Sequence, residues 1–506
     1  MSEAPLILGV SGLRGIVGES LTPEVAVRYA GAFGGWLRER AGVENPLVSV
    51  GRDGRAGGEE LARVVADALI DAGCVVSDCG VATTPSMGHE VDHCLQHAAV
   101  VLTASHNPAE WNGIKLLVSD EVTGGCDGSP VSAAAPSAAV AESIIERFHA
   151  TPSRVSFPGG RMAQRGTPEG SHVADIEGEM AIAGLGTRGS DVARLRAVVD
   201  SVNCSGAVGT AEVSRRLGFE CNQLFGDDSG VFPHTPEPTK ENLSGDGGLC
   251  DAVPGLKADV GFAQDPDADR LAIVDEQGIY IGEEYTLVLC AVALMEARKG
   301  DAETARAEAR GSLKPVFVVN LSTSRMIDDL AARYGAEVVR TPVGEANVVE
   351  RMKQLKAEGR DVVMGGEGNG GVIWPEVTYV RDSLSAMALT LALMARTGKK
   401  VSELVAMVDA MGPGKKGYCI LKRKAPLASK ADAVPVVEHL ARVYRGEADA
   451  VVDTQDGVRI DWPARGVWAH VRASNTEPIM RVIVEAPTEA QAQETARSVE
   501  SCIAEV

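Results

Sequence analysis

Leu47–Val76 reads "LVSVGRDGRAGGEELARVVADALIDAGCVV": an apolar run, a glycine-rich turn, an amphipathic stretch and a second apolar run. After the turn the hydrophobic period changes from continuous to 3.6, the pattern of a βαβ unit. It recurs as "LRAVVDSVNCSGAVGTAEVSRRLGFECNQL" over Leu195–Leu224 and as "PVFVVNLSTSRMIDDLAARYGAEVVRTP" over Pro315–Pro342. Units this far apart imply three similar α/β domains and not a short-period solenoid. The last hundred residues differ. "GVWAHVRA" and "IMRVIVEA" flank a polar turn and "TEAQAQETARSVESCIAEV" closes as a helix, an α+β tail.

A chain of 506 residues exceeds one core and predicts three to four domains. Apolar content of 45% supports large cores, while 4% aromatics and 56 glycines suit an α/β chain with many tight loops. The net charge of −21 argues against a nucleic-acid or anionic-membrane partner. An anionic substrate would therefore need a local positive pocket. Ten scattered cysteines without a CxxC pair predict reduced, mostly buried thiols. No basic, apolar leader opens the chain, and the apolar runs Thr286–Ala297 and Ser385–Ala395 are too short to span a bilayer. The expectation is a soluble cytoplasmic protein. Gly124–Ala141 and Thr151–Gly170 read as flexible insertions or linkers, and "GDAETARAEARGS" after Lys299 as a solvated excursion.

"DVGFAQDPDADRLAIVDEQG" places Asp265, Asp267 and Asp269 at alternating positions between two strand-like runs. Three carboxylates so close repel one another unless a cation lies among them, and oxygen-only ligation selects a hard ion such as Mg²⁺. A calcium loop is excluded, because its sixth position requires glycine and here holds Arg270. "HEVDH" at His89–His93 matches the zinc-peptidase pattern, but polar residues on an exposed helix face explain so short a motif. "RASNTEP" sets Arg472, Ser474, Asn475 and Thr476 between two strands; these donors suit a phosphate, though an ordinary polar hairpin reads the same way. In "GGEGNGG", glycines surround Glu367 and Asn369, either to admit a hydroxylated ligand or as a plain turn. "GVSGLRGIVG" places Arg14 in a glycine-flanked loop, and "TASHNPAEWNGIK" sets Ser105 and His106 ahead of Lys115.

Taken together and in this order, "SGLRG", "TASHNP…NGIK", "TPEPTKENL", "DPDADR", "GEGNGG" and "RASNTEP" resemble the α-D-phosphohexomutase superfamily of phosphoglucomutases, phosphomannomutases and phosphoglucosamine mutases. The resemblance spans essentially the whole chain. It implies three α/β, mixed-sheet domains and a C-terminal α+β domain around a central cleft, at 1–152, 153–279, 280–410 and 411–506. It implies a phosphoserine at Ser105, with Mg²⁺ held by Asp265, Asp267, Asp269 and the Ser105 phosphate. Lys115 becomes the general acid/base, aided by His106 and Arg14, with Arg270 on the equatorial oxygens. Glu367 and Asn369 would read sugar hydroxyls, and Arg472, Ser474, Asn475 and Thr476 would clamp the distal phosphate.

The implied reaction interconverts hexose or hexosamine 6- and 1-phosphates through a bisphosphorylated intermediate, with a small phosphosugar as the only partner. Monomer and homodimer both remain open. "TPVGEANVV" lacks the histidine of hexose-type members and offers Glu345, which directs the expectation to glucosamine 6-phosphate, with phosphomannomutase or phosphoglucomutase activity as the alternative. Asn369, where many bacterial members carry serine, is closer to archaeal-type mutases of mixed specificity. The insertion after Leu117 is given no role. A Mg²⁺ phosphatase would not need the "GEGNGG" and "NGIK" loops, and a non-catalytic binder would be expected to have lost Ser105 or an aspartate.

Overall fold

The computed structural model of the chain describes residues 4–94, 96–123, 132–151, 155–163, 166–186, 190–227, 229–299, 314–412, 416–474 and 478–506. Each of the three sequence repeats folds as strand, helix, strand. Leu47–Arg52, Gly58–Asp71 and Val75–Val81 form the first; Arg196–Asp200, Gly206–Leu217 and Glu220–Leu224 the second; Pro315–Asn320, Met326–Tyr334 and Glu337–Thr341 the third. In each, the two strands pair in parallel. A third parallel strand joins the other side of the first: Ala98–Leu102, Val260–Gln264 and Asp361–Glu367 respectively. A fourth then turns back antiparallel: Trp111–Ser119, Leu271–Val274 and Gly371–Ile373. The three sheets thus share one four-strand order.

The first sheet is extended to eight strands by Leu6–Gly9, Gly12–Ile16, Ala133–Ala134 and Arg161–Met162. The fourth sheet is wholly antiparallel, in the order Cys419–Pro426, Ile479–Ala486, Val467–Ala473, Val458–Trp462 and Val451–Asp453. Helices Ala433–Tyr444 and Glu489–Ile503 cover it.

The two long apolar runs are core helices. Glu283–Arg298 and Ser383–Thr397 bury most of their residues, against each other and between the second and third sheets. One continuous apolar core therefore includes Val199 and Phe262 of the second sheet and Phe317 and Val319 of the third. No helix among the described residues is long and apolar enough to cross a membrane. The described cysteines are free thiols, with Cys74, Cys79, Cys204 and Cys290 buried.

Two expectations need correction. The supposed linkers contribute structure: Ala133–Ala134 pairs with Ser119 and Val118, Ser137 caps a helix that opens at Ala138, and Arg161–Met162 pairs with Val75 and Val76. "HEVDH" is not an exposed face either, because His89 lies buried against helix Glu169–Ile182.

Candidate active site

The turn between third and fourth strands carries a motif in all three α/β sheets: Thr103–Glu110, Asp265–Arg270 and Gly368–Gly370. At the first turn Thr103 Oγ1 accepts the Ser105 amide at 2.8 Å, and Ser105 takes a φ of +50°. Arg55, paired with Asp53 at 2.8 Å, donates to the carbonyls of Ser105 and, at 2.7 Å, Trp111. These bonds hold a conformation that a residue with a Cβ adopts only under constraint. Ala268 in the second turn is likewise left-handed, at +57°. Asp265 Oδ1 accepts the amides of Asp269 and Arg270, both at 3.1 Å, so the loop winds about its first carboxylate.

Across the gap between domains, Ser105 Oγ donates to Asp265 Oδ2 at 2.7 Å. Asp265, Asp267 and Asp269 are fully buried, and one oxygen from each lies within 4.8 Å of the others. Thr84 Oγ1 donates to Asp267 Oδ2 at 2.7 Å, whereas Asp267 Oδ1 and Asp269 Oδ1 are buried without a hydrogen-bond partner. Orphaned anionic oxygens in a dry, oxygen-only site fit a hard divalent cation such as Mg²⁺. Burial, and next the charges of Asp269 and Asp267, push the Asp265 carboxyl well above the usual range.

Lys115 projects from strand Trp111–Ser119 to within 3.0 Å of Asp269 Oδ2 and 3.5 Å of Asp267 Oδ2. Burial works against its charge, but Asp269, Asp267 and Glu345 outweigh it and raise its pKa. Burial likewise opposes the Asp269 charge, yet Arg381, Lys115 and Arg270 hold that carboxyl below its usual range. Arg381 donates to Asp269 Oδ2 at 2.5 Å and to Glu367 Oε2 at 2.6 Å, with Glu345 Oε2 3.5 Å from its Nε. Glu367 also accepts from Asn320 at 2.7 Å and from the Gly344 amide at 3.2 Å. Gly370 has a φ of +82°, and a Cβ there would lie 2.4 Å from the Leu271 carbonyl, so glycine lets the third loop dock on the second.

Of the other expected residues, His106 Nδ1 lies 3.3 Å from Ser105 Oγ, and burial, then Arg270 and Arg14, push its pKa down to about 3. It is a neutral imidazole at ordinary pH. Arg14 donates to Asn107 Oδ1 at 3.2 Å, from a strand paired with the one bearing Lys115. Arg270 Nε is 3.8 Å from Asp269 Oδ1. The Asn369 amide oxygen accepts the Gly371 amide at 3.2 Å and its NH₂ faces Glu367 at 3.4 Å, so its side chain also fastens its own turn. Arg472 stands 3.5 Å from Asp456 Oδ2, which accepts the Val343 amide at 3.1 Å beside the Glu345 loop. Ser474, two residues on from Arg472, is buried. Asn475 and Thr476 lie outside the described residues.

Profiles of one family match the chain in series: phosphoglucomutase/phosphomannomutase α/β/α domain I over residues 5–125, domain II over 182–278, domain III over 283–411, and the C-terminal domain over 420–501. The chain belongs to this family. It is an enzyme of the isomerase class, a phosphohexomutase of the α-D-phosphohexomutase superfamily.

Among its relatives, the "phosphoglucomutase/phosphomannomutase" of Thermococcus kodakarensis is 33% identical over 491 residues, covering 96% of both chains. The "probable phosphoglucosamine mutase" of Methanopyrus kandleri is 34% identical over 493 residues, covering 96% of this chain and 95% of that one. In fold, a phosphoglucomutase/phosphomannomutase family protein of Burkholderia thailandensis superposes with a TM-score of 0.72 at 22% identity, covering 98% of this chain and 97% of that one.

Three contributors to this phosphohexomutase site escaped sequence reasoning: Arg381, Thr84 and Arg55. Arg381 and Thr84 are lone polar residues whose partners lie 112 and 183 positions away, while Arg55 sits in the first βαβ turn beside its partner Asp53 and reaches the distant carbonyls of Ser105 and Trp111. The only signal for Arg381 is an arginine in "YVRDS" just before an apolar helix, where a buried charge demands a partner.

Proposed function

We propose that the chain interconverts 6- and 1-phosphates of a hexosamine, glucosamine first, by way of a phosphorylated Ser105 and a sugar bisphosphate. The observation that carries this reading is the 2.7 Å contact of Ser105 Oγ with Asp265 Oδ2, inside a three-aspartate cluster that also engages Lys115. Asp265, Asp267, Asp269 and the Ser105 phosphate would hold Mg²⁺. When bound there, Mg²⁺ supplies positive charge to the transferring phosphoryl oxygens and offsets the carboxylates that keep Lys115 protonated.

In the first half-reaction the P–Oγ bond of phosphorylated Ser105 breaks as a sugar hydroxyl oxygen bonds phosphorus. The hydroxyl proton passes to Lys115, free to take it once the carboxylates around it are offset, and Ser105 Oγ, released as an alkoxide, takes its proton in turn from the Lys115 ammonium. In the second half the bisphosphate presents its other phosphate to Ser105, and the same atoms move in reverse. Neutral His106 orients Ser105, while Arg14 and Arg270 face the phosphoryl oxygens. Glu367, with Asn369 beside it, takes sugar hydroxyls. Arg472 and Ser474, with Asn475 and Thr476, clamp the distal phosphate from the fourth domain. The domains are taken as 1–152, 153–279, 280–410 and 411–506.

Glucosamine is favoured by Glu345, whose carboxylate lies 4.0 Å from Lys115 at the edge of the site. Arg381 already compensates part of that charge, so a 2-ammonium group gains a preference and not exclusive use. Activity on mannose and glucose phosphates is the second reading, which the Thermococcus relative's name supports. Comparing kcat/KM for the 1-phosphates of glucosamine, glucose and mannose decides between them. A higher value for mannose or glucose overturns the glucosamine assignment and leaves the mutase reaction standing.

A further inference from the structure

His89 and His93 lie one turn apart on helix Thr84–His93, and their rings stack with centroids 3.9 Å apart and planes 15° from parallel. Both Nε2 atoms face the same oxygen on helix Glu169–Ile182: Asp175 Oδ2, 2.7 Å from His89 and 3.1 Å from His93. One ligand atom of each residue lies within 4.8 Å of the others.

A second observation concerns protons. His93 Nδ1 sits 3.2 Å from the His89 carbonyl, which only accepts, so Nδ1 carries the hydrogen. His93 Nε2 then turns toward the Asp175 carboxylate oxygen, and a histidine that gives its other N–H to a backbone carbonyl is oriented as metal-bound histidines are.

We propose that His89, His93 and Asp175 form a second metal site, for a zinc-class divalent ion, distinct from the aspartate cluster. Two imidazoles and one carboxylate suit zinc, nickel or copper, whereas the three aspartates suit magnesium. The His93 and Asp175 side chains are 46% and 42% exposed, giving the ion entry and leaving a position for water, while His89 at 1% anchors the site. His172 stands 5.1 Å from the His89 ring but is engaged by Ser86 at 2.9 Å and Asp382 at 3.1 Å, so it walls the site without ligating. The ion ties the first domain to the helix leading into the second. It does so at the far end of the helix whose Thr84 braces Asp267.

The test keeps Mg²⁺ in large excess, so that the aspartate cluster is not available, and titrates Zn²⁺ by calorimetry and thermal unfolding. One Zn²⁺ per chain should bind and raise the melting temperature. His93→Ala and Asp175→Asn should each weaken binding at least ~10-fold, while Mg²⁺-supported turnover stays within about twofold of the unaltered chain. Cys94→Ser, removing the adjacent thiol, should leave Zn²⁺ binding intact. No Zn²⁺ binding under these conditions, binding undiminished in both variants, or binding lost in Cys94→Ser would each overturn the proposal and leave a proton, not a metal, between His93 and Asp175.

Discussion

Arg381 and Asp269, 112 residues apart in sequence, meet at 2.5 Å, and through that contact the third-sheet loops carrying Glu345 and Glu367 are locked to the aspartate cluster. Arg381 is buried with Asp269, Glu345 and Glu367 around it, and their charges raise its pKa against the opposing effect of burial. Removing one member of a buried ion cluster leaves the others uncompensated. Arg381→Ala is therefore expected to lower unfolding free energy by about 3–5 kcal/mol, read from urea denaturation. Arg381→Lys should recover only part of it, since an ammonium cannot reach three carboxylates.

Ser105→Ala should remove a single labile phosphate from the intact mass. Turnover should fall on the order of 10⁶-fold, as when other covalent nucleophiles are deleted. Full activity in this variant would end the phosphoserine reading.

Chelation should abolish turnover and Mg²⁺ should restore it. Asp267→Asn removes a charge but keeps the shape beside Thr84, so it should fold normally and raise the Mg²⁺ concentration needed for half-activity by about 10-fold or more. An unchanged requirement would remove the aspartates from the metal site.

His470 offers a pH test outside the cluster. It is buried between Ser322 Oγ at 2.8 Å and the Asp456 carbonyl at 2.7 Å. Burial, opposed by the Asp456 carbonyl and reinforced by Arg459, pushes its pKa down to about 4. The unfolded chain takes up this proton near pH 6.5, earlier than the folded one. The stability is present above about pH 6.5 and is lost toward pH 4, at up to ~1.4 kcal/mol per pH unit. His470→Gln should flatten that slope in urea titrations between pH 5 and 6.5.

The βαβ units could be read from sequence because parallel strands buried on both faces give continuous apolar runs, and the helices between them keep a clear 3.6 period. The site loops were legible because each packs its chemistry into a few consecutive residues, as Asp265, Asp267 and Asp269 do. Residues whose role depends on a partner in another domain were not. Nothing adjacent to Arg381 announces Asp269, and nothing in "HEVDH" announces Asp175. Glu345 was legible as a position but not as a partner of Arg381, since that contact depends on how the third sheet stacks its two neighbouring loops.

The single core beneath the second and third sheets has a thermodynamic consequence. Helices Glu283–Arg298 and Ser383–Thr397 supply apolar contacts to both sheets, so neither can melt without exposing the other's interior. The two should lose hydrogen-exchange protection together, as one foldon. The fourth sheet keeps an apolar core of its own and meets the third domain through polar contacts such as Arg325 to Glu485 at 2.9 Å and Ser322 to His470 at 2.8 Å. Its opening is decoupled from theirs. Exchange should report a C-terminal unit of lower stability.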